Sequence, residues 1–182
     1  MLKKKFVIAI IVCVSLLTIG VGTTLAYFVA MSREVINTFT IGKIKIELTE
    51  TTGTNYALVP GMAVQKDPKV TLKSGSEACW LFVELRKENA FDSYVGYQIA
   101  DGWSALTGED GVYYRAVQKT GADTSYEVLK DNQMTVWDTL TEEQASLITQ
   151  APKLTVYAYA IQSDSVATAT EAWAILQAEL EA

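Results

Sequence analysis

From residue 38 onward the chain is dominated by short runs with a two-residue hydrophobic period, set between turn residues. A period of two places alternate side chains on opposite faces of a strand. No helical stretch between these runs is long enough to carry the chain across a sheet to a parallel neighbour, so βαβ units are excluded. The cleanest run is 153–161 (KLTVYAYAI), free of Gly and Pro. Residues 79–85 (CWLFVEL) are apolar on both faces, which marks a central strand covered on both sides. In 38–49, Ile44, Ile46 and Leu48 alternate with Lys43, Lys45 and Glu47; in 69–73, Val70 and Leu72 point inward. Residues 112–117 and 133–137 read as further strands, the latter with Met134 and Val136 on one face. Residues 94–99 and 125–129 are weaker candidates. Val59-Pro60-Gly61, Ser74-Gly75-Ser76, Asp101-Gly102 and Asp110-Gly111 supply turns. Seven to nine short strands of this kind predict an all-β, antiparallel sandwich with short helices.

The period changes at the C-terminus. Ala169, Ala172, Trp173, Leu176 and Leu180 share one helical face, with Thr168 or Thr170 as cap and Glu171 in the first turn. This predicts a helix packed on the domain end and anchored by Trp173. Trp80, Phe82 and Val156 are the expected core anchors on the strands. Thr141 and Gln144 have capping-box spacing, predicting a short helix that ends near Ile148.

The start of the chain is different in kind. Lys3, Lys4 and Lys5 precede an apolar run from Phe6 to Val21, and Gly22-Thr23-Thr24-Leu25-Ala26 follows. Basic head, apolar middle and small residues at the end describe a secretory signal peptide, with Thr24 and Ala26 at the −3 and −1 positions of a cut before Tyr27. A retained membrane anchor fits less well, because a crossing takes roughly 20 apolar residues and Ser15 and Thr18 dilute this run. A lipidated start is disfavoured, since Cys13 sits mid-run without a small residue before it. The expected organisation is a signal peptide over 1–26, an N-terminal segment without a firm place in the domain over 27–34, and one β-sandwich domain over 35–182.

Removing 26 residues takes away three Lys and no acid, leaving 12 basic residues against 21 acidic and a net charge of −9. An acidic surface of that size argues against nucleic acid as a partner. Only Cys79 remains, so the exported domain has no internal disulfide and must be held by its core.

The search for chemistry returns little. The 182 residues contain no His, which removes the commonest metal ligand and the usual general base. Cys79 opens an apolar strand, where a free thiol behaves as a small hydrophobe. Asp101, Glu109 and Asp110 flank turns; calcium takes such oxygens, but no EF-hand spacing is present and solvated turns explain them more simply. No glycine-rich phosphate cradle occurs. Tyr157 and Tyr159 share one face, opposite to Val156. Together with Tyr113 and Tyr114 they suit either an exposed glycan-binding face or, more simply, packing between two sheets. No catalytic residue, metal ligand or cofactor site is expected.

Several elements in the first 42 residues coincide with a known pattern. Gly20-Val21-Gly22-Thr23-Thr24-Leu25-Ala26-Tyr27-Phe28, followed by Asn37-Thr38-Phe39-Thr40-Ile41-Gly42, resembles the amino terminus of the TasA/camelysin family. These are exported proteins of Gram-positive bacteria processed by a dedicated, SipW-type signal peptidase. Val59-Pro60-Gly61, Lys66-Asp67-Pro68, Gly75-Ser76-Glu77 with Cys79-Trp80-Leu81-Phe82-Val83, and Ala158-Tyr159-Ala160-Ile161-Gln162 resemble clostridial members. The resemblance implies a jelly-roll-like sandwich, an extracellular or cell-surface location, contact with the membrane only before signal cleavage, and assembly into biofilm-matrix fibres. In such fibres an N-terminal segment acts as a donor strand. Carried onto this chain the donor would use Tyr27, Phe28, Val29, Met31 and Val35. The chain departs from the family junction at Phe28-Val29-Ala30-Met31, where relatives carry Ser or Thr and Asp. Camelysin-type relatives also carry a metallopeptidase label, and a chain without His or an HExxH helix argues against that activity.

Two functions of different class follow as expectations. The first is a secreted structural subunit that associates with itself or with related matrix proteins. The second is a monomeric extracellular module binding a glycan or a surface protein.

Overall fold

The computed structural model describes residues 38–41, 43–52, 58–141, 144 and 148–181. Within them the fold is largely antiparallel β-sheet with two small helices, one near the C-terminus.

The first four strands are short: β1 (Thr38–Ile41), β2 (Ile46–Thr49), β3 (Ala63–Gln65) and β4 (Lys69–Leu72). The long β5 (Cys79–Glu88) leads into helix α1 (Phe91–Tyr94), then β6 (Val95–Ile99), β7 (Ser104–Ala105) and β8 (Val112–Val117). β9 (Thr124–Glu127) and β10 (Leu129–Val136) are separated by one residue, the buried Val128. β11 (Lys153–Gln162), a 3-10 turn at Ser163–Ser165 and helix α2 (Ala169–Leu180) complete the chain.

A five-stranded sheet runs in the order β1-β11-β5-β8-β7, and two three-stranded sheets run β3-β10-β6 and β2-β4-β9. β5 and β11 pair antiparallel over ten residues, from Cys79 with Gln162 to Glu88 with Lys153. This is the central position expected for 79–85. The exception to antiparallel pairing is β1, which runs parallel to β11 with Thr38 opposite Ala158 and Ile41 opposite Ile161. The purely antiparallel expectation is corrected there: β1 lies beside the last strand of the chain, reached from the opposite end of the sequence.

Alternation divides each central strand between two cores. Cys79, Leu81, Val83 and Leu85 of β5, with Leu154, Val156, Ala158 and Ala160 of β11, face Leu48, Val64, Val70, Leu72, Met134 and Val136 from the two smaller sheets. The opposite face of the same strands presents Phe82, Tyr159 and Ile161 to Ala169, Ala172, Trp173 and Leu176 of α2. The Tyr157 and Tyr159 face is therefore covered by the C-terminal helix, not by a second sheet. Tyr157, stacked on Tyr159 with ring centroids 6.4 Å apart, is only half-buried.

α2 starts where the sequence places it. Thr168 Oγ1 accepts from the Glu171 N–H and the Glu171 carboxylate accepts from the Thr168 N–H, a complete capping box. The same reciprocal pattern joins Thr141 and Gln144. Leu180, expected on the buried face, is 41% exposed, so the buried face of the helix ends at Leu176.

Candidate functional site: the β1 edge of the five-stranded sheet

The two ends of the five-stranded sheet are built differently. At one end β7 has two residues, both exposed, and a strand that short offers little for another chain to pair with. At the other end stands β1, Thr-Phe-Thr-Ile, with none of the Lys, Glu or Pro that natural edges use to repel a neighbour. β1 covers only part of β11. Its register partners are Ala158 to Ile161, whereas β5 pairs with β11 along all ten residues. Among the described residues no strand lies beside Leu154 to Tyr157 on the β1 side.

β11 earns its rigidity from both cores. Ala158 and Ala160 are fully buried on one face. On the other, Tyr159 is 2% exposed and meets Trp173 edge-on at 5.4 Å. The Tyr159 hydroxyl donates to Glu84 Oε2 at 2.8 Å, and Arg86 pairs with the same carboxylate at 2.7 Å while its guanidinium lies 4.5 Å from the Tyr157 ring. Burial, reinforced by the Glu84 contact, pushes the Tyr159 phenol well above its ordinary pKa. It acts as a neutral donor tying β11 to β5. Just past β1, the Lys43 N–H reaches Gln162 Oε1 at 3.4 Å and the Lys43 carbonyl accepts from Glu77 at 3.1 Å. The chain leaving β1 is thus fastened at the top of β11.

The residues singled out from sequence fall into two groups. Thr24, Ala26 and Tyr27 at the junction, and Phe28, Val29, Met31 and Val35 of the donor segment, lie outside the described residues. The four anchors lie inside. Phe82 is fully buried 5.3 Å from Trp173, Trp173 is 4% exposed, and Val156 belongs to the larger core cluster, which draws residues from all three sheets. Trp80 is half-buried at the rim of the helix-side core, where its Nε1 donates to the Val166 carbonyl at 3.0 Å and its ring meets Tyr114 edge-on.

Cys79 is 1% exposed, and burial pushes its thiol up to about 11. The thiolate is the nucleophilic form, so this sulfur is held inert at neutral pH. Among the described residues no three acidic or sulfur side chains gather closely enough to hold a metal ion. Asp101, Glu109 and Asp110 remain on their turns.

One feature escaped the sequence reading. Arg115 on β8 is half-buried, its guanidinium close to the rings of both Tyr126 and Trp103. The available signal was a single cation inside an otherwise uncharged strand, VYYRAV. In comparison with known proteins, no family model, no curated protein and no solved structure matches this chain.

Proposed function

We propose that this protein is an exported structural subunit, not an enzyme, that assembles outside the cell by adding an N-terminal strand to the β11 edge of another copy. The observation that carries this reading is the partial, parallel cover of β11 by β1. Leu154 to Tyr157 of β11 lie beside no strand on the β1 side among the described residues. A strand delivered there gains main-chain hydrogen bonds with β11 and pockets for alternate side chains. The proposed donor is the segment of another copy that carries Tyr27, Phe28, Val29, Met31 and Val35.

The resemblance of the first 42 residues to the TasA/camelysin pattern supports the same reading. It brings with it a jelly-roll-like sandwich, a dedicated signal peptidase as processing partner, and a biofilm-matrix or cell-surface setting. Cleavage after Ala26 then acts as the assembly switch, because it frees the segment that the leader held at the membrane.

The test compares residues 27–182 with residues 35–182 by light scattering and sedimentation. The longer form is expected to assemble and the shorter to stay monomeric. Assembly grows as pH falls and carboxylates are protonated, and as salt rises, because acidic subunits repel one another. Two monomeric forms across concentration and pH, or equal assembly by both, refute the strand-addition reading.

A further inference from the structure

We propose that the cleft around Arg115 binds a carboxylate-bearing sugar, of the uronic-acid class, within a polysaccharide. This goes beyond the assembly reading and stands whether or not the chain polymerises.

Arg115 projects from β8 toward the rim of the core between the sheets. Its guanidinium carbon lies 4.0 Å from the Tyr126 ring centroid and 5.2 Å from that of Trp103. Cation–π contact from two rings fixes the plane of the fork. The Trp103 ring is itself fixed, its Nε1 donating to the Glu127 carbonyl at 2.8 Å. Behind the fork, a Cβ on Gly102 would stand 2.5 Å from Arg115 Nη2, so the turn leaves that space to the guanidinium. The Arg115 guanidinium nevertheless makes no hydrogen bond and no ion pair with any described residue. Burial lowers its pKa, the mark of a cation partly removed from water without a carboxylate to repay the loss. An oriented guanidinium with unused donors is a ready receptor for a carboxylate, which it meets through two parallel hydrogen bonds.

The surroundings select what carries that carboxylate. An open cleft of about 350 Å³ is lined by Asp101, Arg115, Tyr126, Glu127, Lys130 and Asp131. Three carboxylates disfavour an anion that offers them no hydrogen-bond donors, such as a bare inorganic anion or an acidic peptide side chain. They accept hydrogen bonds well from hydroxyl groups, and Lys130 adds a second cation beside Arg115. Hydroxyls next to one carboxylate on a single ring satisfy both sets.

The backbone is shaped for this opening. Asp131 and Asn132 both adopt left-handed conformations, φ 55° and 53°, in the middle of β10. The β10–β6 register jumps there, from Leu129 opposite Ile99 to Met134 opposite Tyr97. The bulge carries Lys130 and Asp131 to the cleft. Asn132 donates to Glu127 Oε1 at 3.0 Å, and its carbonyl accepts from the Lys66 N–H at 2.8 Å. Consecutive left-handed non-glycine residues are costly and concentrate at binding sites.

The test uses the full chain with trigalacturonate as probe, galactotriose as its neutral counterpart and triglutamate as a carboxylate without sugar hydroxyls. Binding is read by calorimetry and by Trp fluorescence. Trigalacturonate is expected to bind saturably, with both other probes weaker by about tenfold or more, the loss of one charge-assisted hydrogen-bond pair or of the hydroxyl contacts. Arg115→Gln is expected to lose about tenfold in affinity and Lys130→Gln about threefold. Lys130 is exposed on the bulge, so its variant tests the site even if Arg115→Gln fails to fold. No saturable trigalacturonate binding, equal binding of galactotriose or triglutamate, or a Lys130→Gln protein that binds as tightly as the parent overturns the proposal.

Discussion

Replacing Gly111 by Ala tests the central register of the fold, and a built-in control separates its two costs. Gly111 sits at φ +74°, and a Cβ there would lie 2.5 Å from the carbonyl oxygen of Leu85. Gly75 has a similar φ, +81°, but nothing within 4 Å of its added carbon. Gly75→Ala therefore carries only the conformational penalty of a left-handed alanine, about 1 kcal/mol. In a domain of about 150 residues that lowers the melting midpoint by roughly 2–4 °C. Gly111→Ala adds a collision with main chain that cannot swing away. The same peptide pair is joined by the Leu85 N–H donating to the Gly111 carbonyl at 2.8 Å, and Leu85 is buried. Relieving the collision moves β5 from the start of β8 and leaves a buried N–H without its acceptor, a further cost of about 1–3 kcal/mol. The sum is about 2–4 kcal/mol, or a fall of roughly 4–16 °C. Thermal unfolding followed by far-ultraviolet circular dichroism reads both variants. Equal shifts for Gly75→Ala and Gly111→Ala would show that Leu85 does not stand over Gly111, and the β5–β8 register with its turn would be wrong.

Further outcomes follow from side chains already placed. Trp173→Ala removes a ring packed on both Phe82 and Tyr159 and is expected to cost about 3–5 kcal/mol by chemical denaturation; a cost below about 1 kcal/mol would mean that α2 is not docked there. Asp67 loses some solvation, but hydrogen bonds from the Thr51 side chain, the Thr52 and Thr51 N–H groups and the Thr52 side chain hold its carboxyl well below the usual range. A lowered folded-state pKa gives stability that is present above the unfolded value near 4 and is lost as pH falls below it. Asp67→Asn should flatten the decline of the midpoint below about pH 4, and an unchanged acid slope refutes the assignment. Cys79, buried with its thiol pushed up to about 11, should resist alkylation at neutral pH until the protein unfolds; rapid labelling of the native chain, followed by mass spectrometry, would contradict its position.

Much of the sheet is legible in single strands. Residues 153–161 and 112–117 carry their period plainly, and they form β11 and β8 almost to the residue. The cap of α2 is equally legible, because Thr168 and Glu171 act within one turn. What escapes is information shared between distant segments. The four residues of β1 say nothing about which strand they join or in which direction. Nothing in residues 124–136 marks Val128 as a break, since the chain divides there by changing sheets, not by a turn residue. α1 begins after Asn89 and Ala90, both left-handed, and an alanine gives no local sign of that conformation. Trp80 and Phe82 share a face by alternation, but only Phe82 lies beneath Trp173, so one is a core residue and the other a rim residue. Arg115 becomes conspicuous only when Trp103 and Tyr126 arrive from other parts of the chain.

The parallel pairing of β1 with β11 also sets a timetable. A ribosome delivers β1 near the beginning and β11 near the end, so the first strand of the domain waits for nearly the last before it has its neighbour. β5 waits almost as long for β11, its most extensive partner. Contacts that close such long loops come late and slow folding. Until residue 162 has emerged, the main-chain edges of Thr38 to Ile41 and of β5 that pair with β11 are both unmatched. A chain built this way depends on being kept from its siblings while it is made, and it becomes safe to release only when its C-terminal strand is in place.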